Sequence, residues 1–167
     1  MENQQESKQI LNGETISNLK EPVSTYTDGS CYFLIKRVNN FIMLVNLEML
    51  DAFKELPHAD VLLLKICDDD KVSAFIIELK NVKDPQIQDD KMVNNLNNKF
   101  YNTLKELEKK DGKFALNKML KTKKIDFNFY YVTNNVDKVT SIFKRRGIAY
   151  TILGHNFRLI NCGGQVP

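Results

Sequence analysis

Between residues 60 and 80 the chain reads Asp-Val-Leu-Leu-Leu-Lys-Ile-Cys-Asp-Asp-Asp-Lys-Val-Ser-Ala-Phe-Ile-Ile-Glu-Leu-Lys. Two apolar runs, residues 61–67 and 72–79, flank a polar tetrapeptide, Asp68-Asp69-Asp70-Lys71. Such runs on either side of turn residues predict a β-hairpin. Its charged residues of interest stand at the far ends of the arms. Asp60 opens the first strand, and Glu78 and Lys80 close the second.

The numbers of facing residues in an antiparallel pair add to a constant, here about 140 for a turn centred near residue 70. Asp60 then faces Leu79 or Lys80, with Glu78 one step diagonal. Glu78 and Lys80 share a face, about 7 Å apart. A one-residue slip of register would turn Asp60 to the other face. In the expected register, two acids and a lysine meet at the open end of an apolar hairpin. Two carboxylates at one spot raise each other's pKa unless a cation lies between them. A hard ion such as Mg²⁺ takes a few carboxylate oxygens and keeps several waters. It acidifies bound water and screens phosphate charge, while a nearby lysine can stabilise the extra negative charge of a transition state. The plainer alternative is an exposed strand end with an ordinary Glu/Lys pair. The apolar run Phe75-Ile76-Ile77 before Glu78, and the matched Asp60, favour the first reading.

Asp60 followed by Glu78-Leu79-Lys80 at the end of the next strand resembles the PD-(D/E)xK nuclease superfamily. That group includes restriction endonucleases and archaeal Holliday junction resolvases. The resemblance spans about residues 40–135, and the family's proline is not adjacent to the acid, the order being Pro57-His58-Ala59-Asp60. It implies an α/β (α+β) fold with a restriction endonuclease-like core, a central mixed β-sheet flanked by helices. It implies Asp60, Glu78 and Lys80 as catalytic residues. Asp60, Glu78 and the Leu79 carbonyl would hold Mg²⁺ or Mn²⁺. It also implies a nucleic-acid substrate, DNA before RNA, and a homodimer. The family often draws an extra acid from an early helix, for which Glu48 and Glu55 both stand available. The Gln-x-x-x-Tyr signature of the superfamily's recombination exonucleases is absent from the segment after Lys80. A non-catalytic module on the same fold, binding nucleic acid or protein, is the alternative function.

With 167 residues, one domain and a real core are expected. A net charge of +3 announces no global affinity for nucleic acid, so any basic surface must be local. It is found between residues 99 and 124, where nine lysines oppose three acids. Lys99, Lys113, Lys118, Lys121, Lys123 and Lys124 are the candidate phosphate contacts; a solvated lysine-rich surface is the alternative. No apolar stretch is long enough to span a bilayer, and no secretory signal pattern opens the chain. Cys31, Cys67 and Cys162 are odd in number and far apart, which predicts free thiols and a reducing, cytoplasmic setting. His58 lies close enough to Asp60 in sequence to assist there, although a loop histidine without a role is the simpler reading.

Residues 1–28 are polar and read as a loosely attached tail, with short helices conceivable at 7–11 or 15–19. A single α/β domain then occupies residues 29–163, and 164–167 fray. Residues 31–38 are strand-like. Residues 41–45 suggest a strand returning as a hairpin, and 47–56 a helix with Leu47, Leu50, Phe53 and Leu56 inward, stopped by Pro57. The acids of the 68–70 turn lie too far from Glu78 to share an ion and are read as turn formers. A helix follows Asp89-Asp90, with Val93, Leu96, Phe100, Leu104 and Leu107 as its apolar stripe. A short helix at 114–120, a strand at 126–133, a helix from Asp137 to Arg146 and strands at 148–153 and 155–162 complete the reading.

Overall fold

The computed structural model describes residues 8–11, 14–18, 23–28, 31–36, 41–68, 71–80, 89–109, 124–146, 151–152 and 154–166. Strands β1 (Lys8–Leu11), β2 (Glu14–Asn18) and β3 (Val23–Asp28) come first. Strands β4 (Cys31–Lys36) and β5 (Phe41–Asn46) follow. The hairpin is β6 (Val61–Asp68) and β7 (Lys71–Lys80). Helix α1 (Asp89–Glu108) leads to β8 (Lys124–Thr133), and α2 (Val136–Arg146) to β9 (Thr151–Ile152) and β10 (His155–Asn161). A last short strand, β11 (Gln165–Val166), ends the described residues.

Among these residues the protein is a mixed α/β structure of three layers. An eight-stranded sheet runs β1-β2-β5-β6-β7-β8-β10-β9, and a three-stranded sheet runs β11-β4-β3. Within the large sheet β7, β8 and β10 are parallel to one another, and the other pairs are antiparallel. A parallel pair needs a crossover, which α1 supplies between β7 and β8 and α2 between β8 and β10. Both helices bury their stripes on one face of the large sheet. Val93, Leu96, Phe100, Leu104 and Leu107 of α1 join Val139, Ile142 and Phe143 of α2 against Ala74, Ile76, Phe129, Tyr131 and Phe157. The other face meets the small sheet, where Phe33, Ile35 and Val166 pack on Val61, Leu63, Phe75, Ile77, Leu79 and Val132. Covered on both sides, β7 is buried without interruption from Ala74 to Leu79. This explains its near-continuous apolar sequence.

The hairpin pairs Val61 with Ile77 and Leu64 with Ala74, and the register shifts between Ile66 and Asp68. The irregularity beside Cys67 moves the constant below the expected value, because a bulge adds one residue to one arm only. Extending the pairing by one residue brings Asp60 level with Glu78, rather than with Leu79 or Lys80.

The expected helix at 47–56 is instead two 3₁₀ turns, Leu47–Met49 and Asp51–Phe53. Three residues per turn is the period of a 3₁₀ helix, and Leu47, Leu50 and Phe53 use it to reach the core, whereas Leu56 is exposed. Strand β5 does not return beside β4; it pairs with β6 and β2 in the large sheet. The segments considered as short helices near the start are strands, with β1 antiparallel to β2 and β3 to β4. Asp137 lies inside the first turn of α2 rather than capping it, and Val139 N–H donates to Asn135 O. The expected short helix at 114–120 lies outside the described residues.

The chain end is held as well. Gln165 and Val166 pair in parallel with Leu34 and Ile35, where fraying was expected. Gly163 donates its N–H to Tyr32 O at 2.7 Å. Its φ of +82° is costly for other residues, and a Cβ there would stand 3.0 Å from Tyr32 Oη. Next to it, Cys162 is bonded to Cys31, 131 residues away in sequence. This overturns the reading of isolated thiols, which rested on spacing, because strand pairing sets the distance that matters. Persistent disulfides belong to oxidising surroundings, so the bond also runs against the expectation of a reducing setting. No helix among the described residues is long and apolar enough to cross a membrane.

Candidate active site

Glu78 is the next-to-last charged residue of β7, and strand alternation puts it on the helix-covered face with Ala74 and Ile76. Its side chain is only 6% exposed. Asp60 stands just before β6, whose first residue, Val61, is paired with Ile77. Asp60 N–H donates to Ile77 O at 3.1 Å, and the carboxylate Oδ2 accepts the Leu79 N–H at 2.7 Å. Asp60 is thereby fastened to both neighbours of Glu78. Lys80 shares the face of Glu78 and is exposed at the strand end. The Leu79 side chain turns to the opposite face and is buried there.

A second lysine reaches this point. Lys99 of α1 donates from Nζ to Glu78 Oε1 at 2.6 Å, and its side chain is 24% exposed. Sequence reasoning placed Lys99 among cations for a phosphate backbone; in the structure it is the ion-pair partner of the central acid. The other carboxylate oxygen, Glu78 Oε2, is buried without a hydrogen-bond partner. Burial, and then the Asp60 charge, push the Glu78 carboxyl from its ordinary 4.5 up to about 8, against the opposing pull of Lys99 and Lys80. Burial works against the Lys99 ammonium, but Glu78, Asp60 and Glu48 outweigh it and hold Lys99 above its ordinary value. Of the two early acids, Glu48 is therefore the one within electrostatic reach of the site, from the first 3₁₀ turn.

Helix α1 also positions the loop that carries Asp60. Thr103 Oγ1 accepts the Ala59 N–H at 2.9 Å and donates to Lys99 O at 2.8 Å. Asn102 donates to Pro57 O at 3.0 Å. His58 turns away from a catalytic part: its Nδ1 lies 2.7 Å from Ala59 O and its ring packs on Phe53. On the adjoining strand, Tyr131 is paired in register with Glu78. Burial, followed by the charges of Glu78 and Asp60, pushes its hydroxyl well above the ordinary range.

Tyr131, Asn102 and Thr103 were not singled out from the sequence. The signal for Lys99 and Thr103 is their position. Both fall between the apolar residues Leu96, Phe100 and Leu104, where an ordinary amphipathic helix would place neither a lysine nor a threonine.

The basic segment divides differently. Lys113, Lys118, Lys121 and Lys123 lie outside the described residues. Lys124 is exposed at the start of β8 and pairs in register with Lys71, while Glu78 pairs with Tyr131. Seven residues of strand separate the two positions, about 23 Å, so Lys124 stands at the hairpin's turn end, away from the acids.

Hard oxygen donors, one of them buried and unpartnered, suit a small divalent cation. Asp60 and Glu78 are the carboxylates that would hold one, each with an oxygen already engaged, Asp60 Oδ2 by the Leu79 N–H and Glu78 Oε1 by Lys99. Among the described residues no group of three or more His, Cys, Asp or Glu side chains is gathered for a metal. No protein-family model, curated protein or solved structure matches the chain.

Proposed function

We propose that the protein is a metal-dependent nuclease that hydrolyses phosphodiester bonds, DNA before RNA, on a restriction endonuclease-like core. The observation that carries this reading is the convergence of Asp60 and Glu78 on one face of the sheet, with Glu78 Oε2 buried and unpartnered. A strand end that merely carried an ordinary Glu/Lys pair would leave Glu78 in water. Burying a carboxylate without full compensation is costly, and such cost is a mark of functional sites.

In this proposal Asp60 and Glu78 hold Mg²⁺ or Mn²⁺. The bound ion supplies neutralisation of phosphate charge and acidification of water. Thr103 and Asn102 keep the Asp60 loop at a fixed distance from α1, so the carboxylates are positioned before substrate arrives. Lys80, exposed and on the same face, is placed to donate to a phosphate oxygen that gains negative charge. The parallel crossover β7-α1-β8 that follows the acids agrees with the element order of the superfamily that the motif resembles.

One observation favours the non-catalytic alternative. Lys99 already bonds Glu78 Oε1 at 2.6 Å, as it would in a purely structural pair. Cleavage of single-stranded, duplex and branched DNA, with Mg²⁺ or Mn²⁺ against an EDTA control, separates the two readings. The proposed enzyme cuts only with metal, and Glu78→Ala lowers the rate by about 10²–10³. Absence of cutting on every substrate, with DNA binding indifferent to metal, leaves the binding module.

A further inference from the structure

We propose that the Lys99 ammonium is a resident substitute for the divalent cation, one that must leave Glu78 for the ion to bind. This inference rests on the metal-nuclease reading and adds a step to it: the site is filled by exchange of one cation for another.

The geometry carries the inference. Glu78 Oε1 is taken by Lys99 Nζ at 2.6 Å, and Glu78 Oε2 has no partner. An ion on that carboxylate would sit about 2.0–2.1 Å from an oxygen, a few ångströms from the ammonium. Two cations so close repel strongly, and the surrounding side chains leave little water to screen them. The backbone of Lys99 cannot give way. Its carbonyl accepts from Thr103, and its neighbours Leu96 and Phe100 are packed in the core. The side chain can give way, because it is 24% exposed while Glu78 is only 6% exposed. Four methylenes let the head swing outward while the helix stays in place. Glu48, exposed and acting on the Lys99 charge, offers the displaced ammonium an acid on the solvent side. Lys80 makes no such contact with Glu78, so the two lysines divide the work. Lys99 guards the carboxylate, and Lys80 remains exposed at the strand end.

The test is an Mg²⁺ titration of the full chain, followed by NMR of the lysine side-chain ammonium groups and of the backbone amides. Saturating Mg²⁺ should shift the Leu79 and Lys80 amides and, in step with them, move the Lys99 ammonium and speed its exchange with water. Amide shifts at Leu79 and Lys80 with an unmoved Lys99 signal would overturn the exchange and leave the metal reading intact. No shift at any of these positions would overturn both.

Calorimetric Mn²⁺ binding provides a second arm. Lys99→Met, which keeps chain length and removes the charge, should tighten binding tenfold or more. Lys80→Met should change it less than threefold, and Glu78→Gln should weaken it at least tenfold. Equal affinity in wild type and Lys99→Met counts against the exchange alone. Equal affinity in wild type and Glu78→Gln counts against the metal site itself.

Discussion

The two faces of the large sheet are built from the same strands yet solve different problems. Among the described residues, the buried polar side chains on the helix-covered face are those of Glu78, Thr103, Glu106 and Thr133. On the face toward the small sheet the buried charge is a cation, Lys65, laid over the Phe75 ring at 5.6 Å. That second face is closed by a disulfide and by the parallel pairing of β11 with β4. The contrast follows from what packs on each side. A helix projects long side chains at different heights, so α1 can send Lys99 to Glu78 and Asn102 and Thr103 to residues 57–59. A second sheet lies at a nearly uniform distance and interdigitates compact side chains, which leaves little room for a polar cluster. The candidate chemistry is on the helix side, and the other side supplies cross-linked support.

This division can be broken at either face. Phe100 has no exposed surface and packs its ring 4.8 Å from Phe129 and 5.8 Å from Phe157. Phe100→Ala removes the ring adjoining Lys99, and denaturant unfolding should show a loss of about 3–5 kcal/mol. Metal-dependent cleavage should fall with it, because α1 carries three of the residues that organise the site. On the opposite face, replacing Cys31 and Cys162 together by Ser opens a very long loop. The same measurement should show a loss of about 2–4 kcal/mol, with cleavage at a temperature where the protein is still folded reduced less than threefold. A double variant that loses cleavage while folded would mean that the two faces are not separable.

How far the sequence disclosed this arrangement differs between elements for physical reasons. The hairpin, the α1 stripe and the acid pair were legible because periodicity and end charges are local signals. The five apolar residues expected to face inward on α1 are all buried. The 47–56 segment was misread because Leu47, Leu50 and Phe53 fit a period of three as well as one of 3.6, and only packing decides. The Cys31–Cys162 bond was illegible because no local signal couples residues at opposite ends of a chain. The pairing of Lys99 with Glu78 was missed for the same reason. It depends on which face of β7 the helix crosses, while sequence alone ranked Lys99 with its lysine-rich neighbours.

The effect most specific to the helix face is one of titration. Glu78 titrates from an ordinary 4.5 when unfolded to about 8 when folded. Between those values the folded protein keeps a proton that the unfolded chain releases. Folding therefore takes up a proton, and stability falls as pH rises from about 4.5 to about 8, then levels off on this account. Glu78→Gln cannot titrate, so its denaturant stability in EDTA should lose this part of the slope, and at pH 8 it should equal or exceed the wild type. Tyr131, which feels the Glu78 charge, provides an internal check: its hydroxyl should titrate closer to the ordinary value in the variant. An unchanged slope in Glu78→Gln would mean that the carboxylate is stabilised as fully when buried beside Asp60 as it is in water. The helix face would then carry no stored electrostatic cost, and its difference from the other face would be one of shape alone.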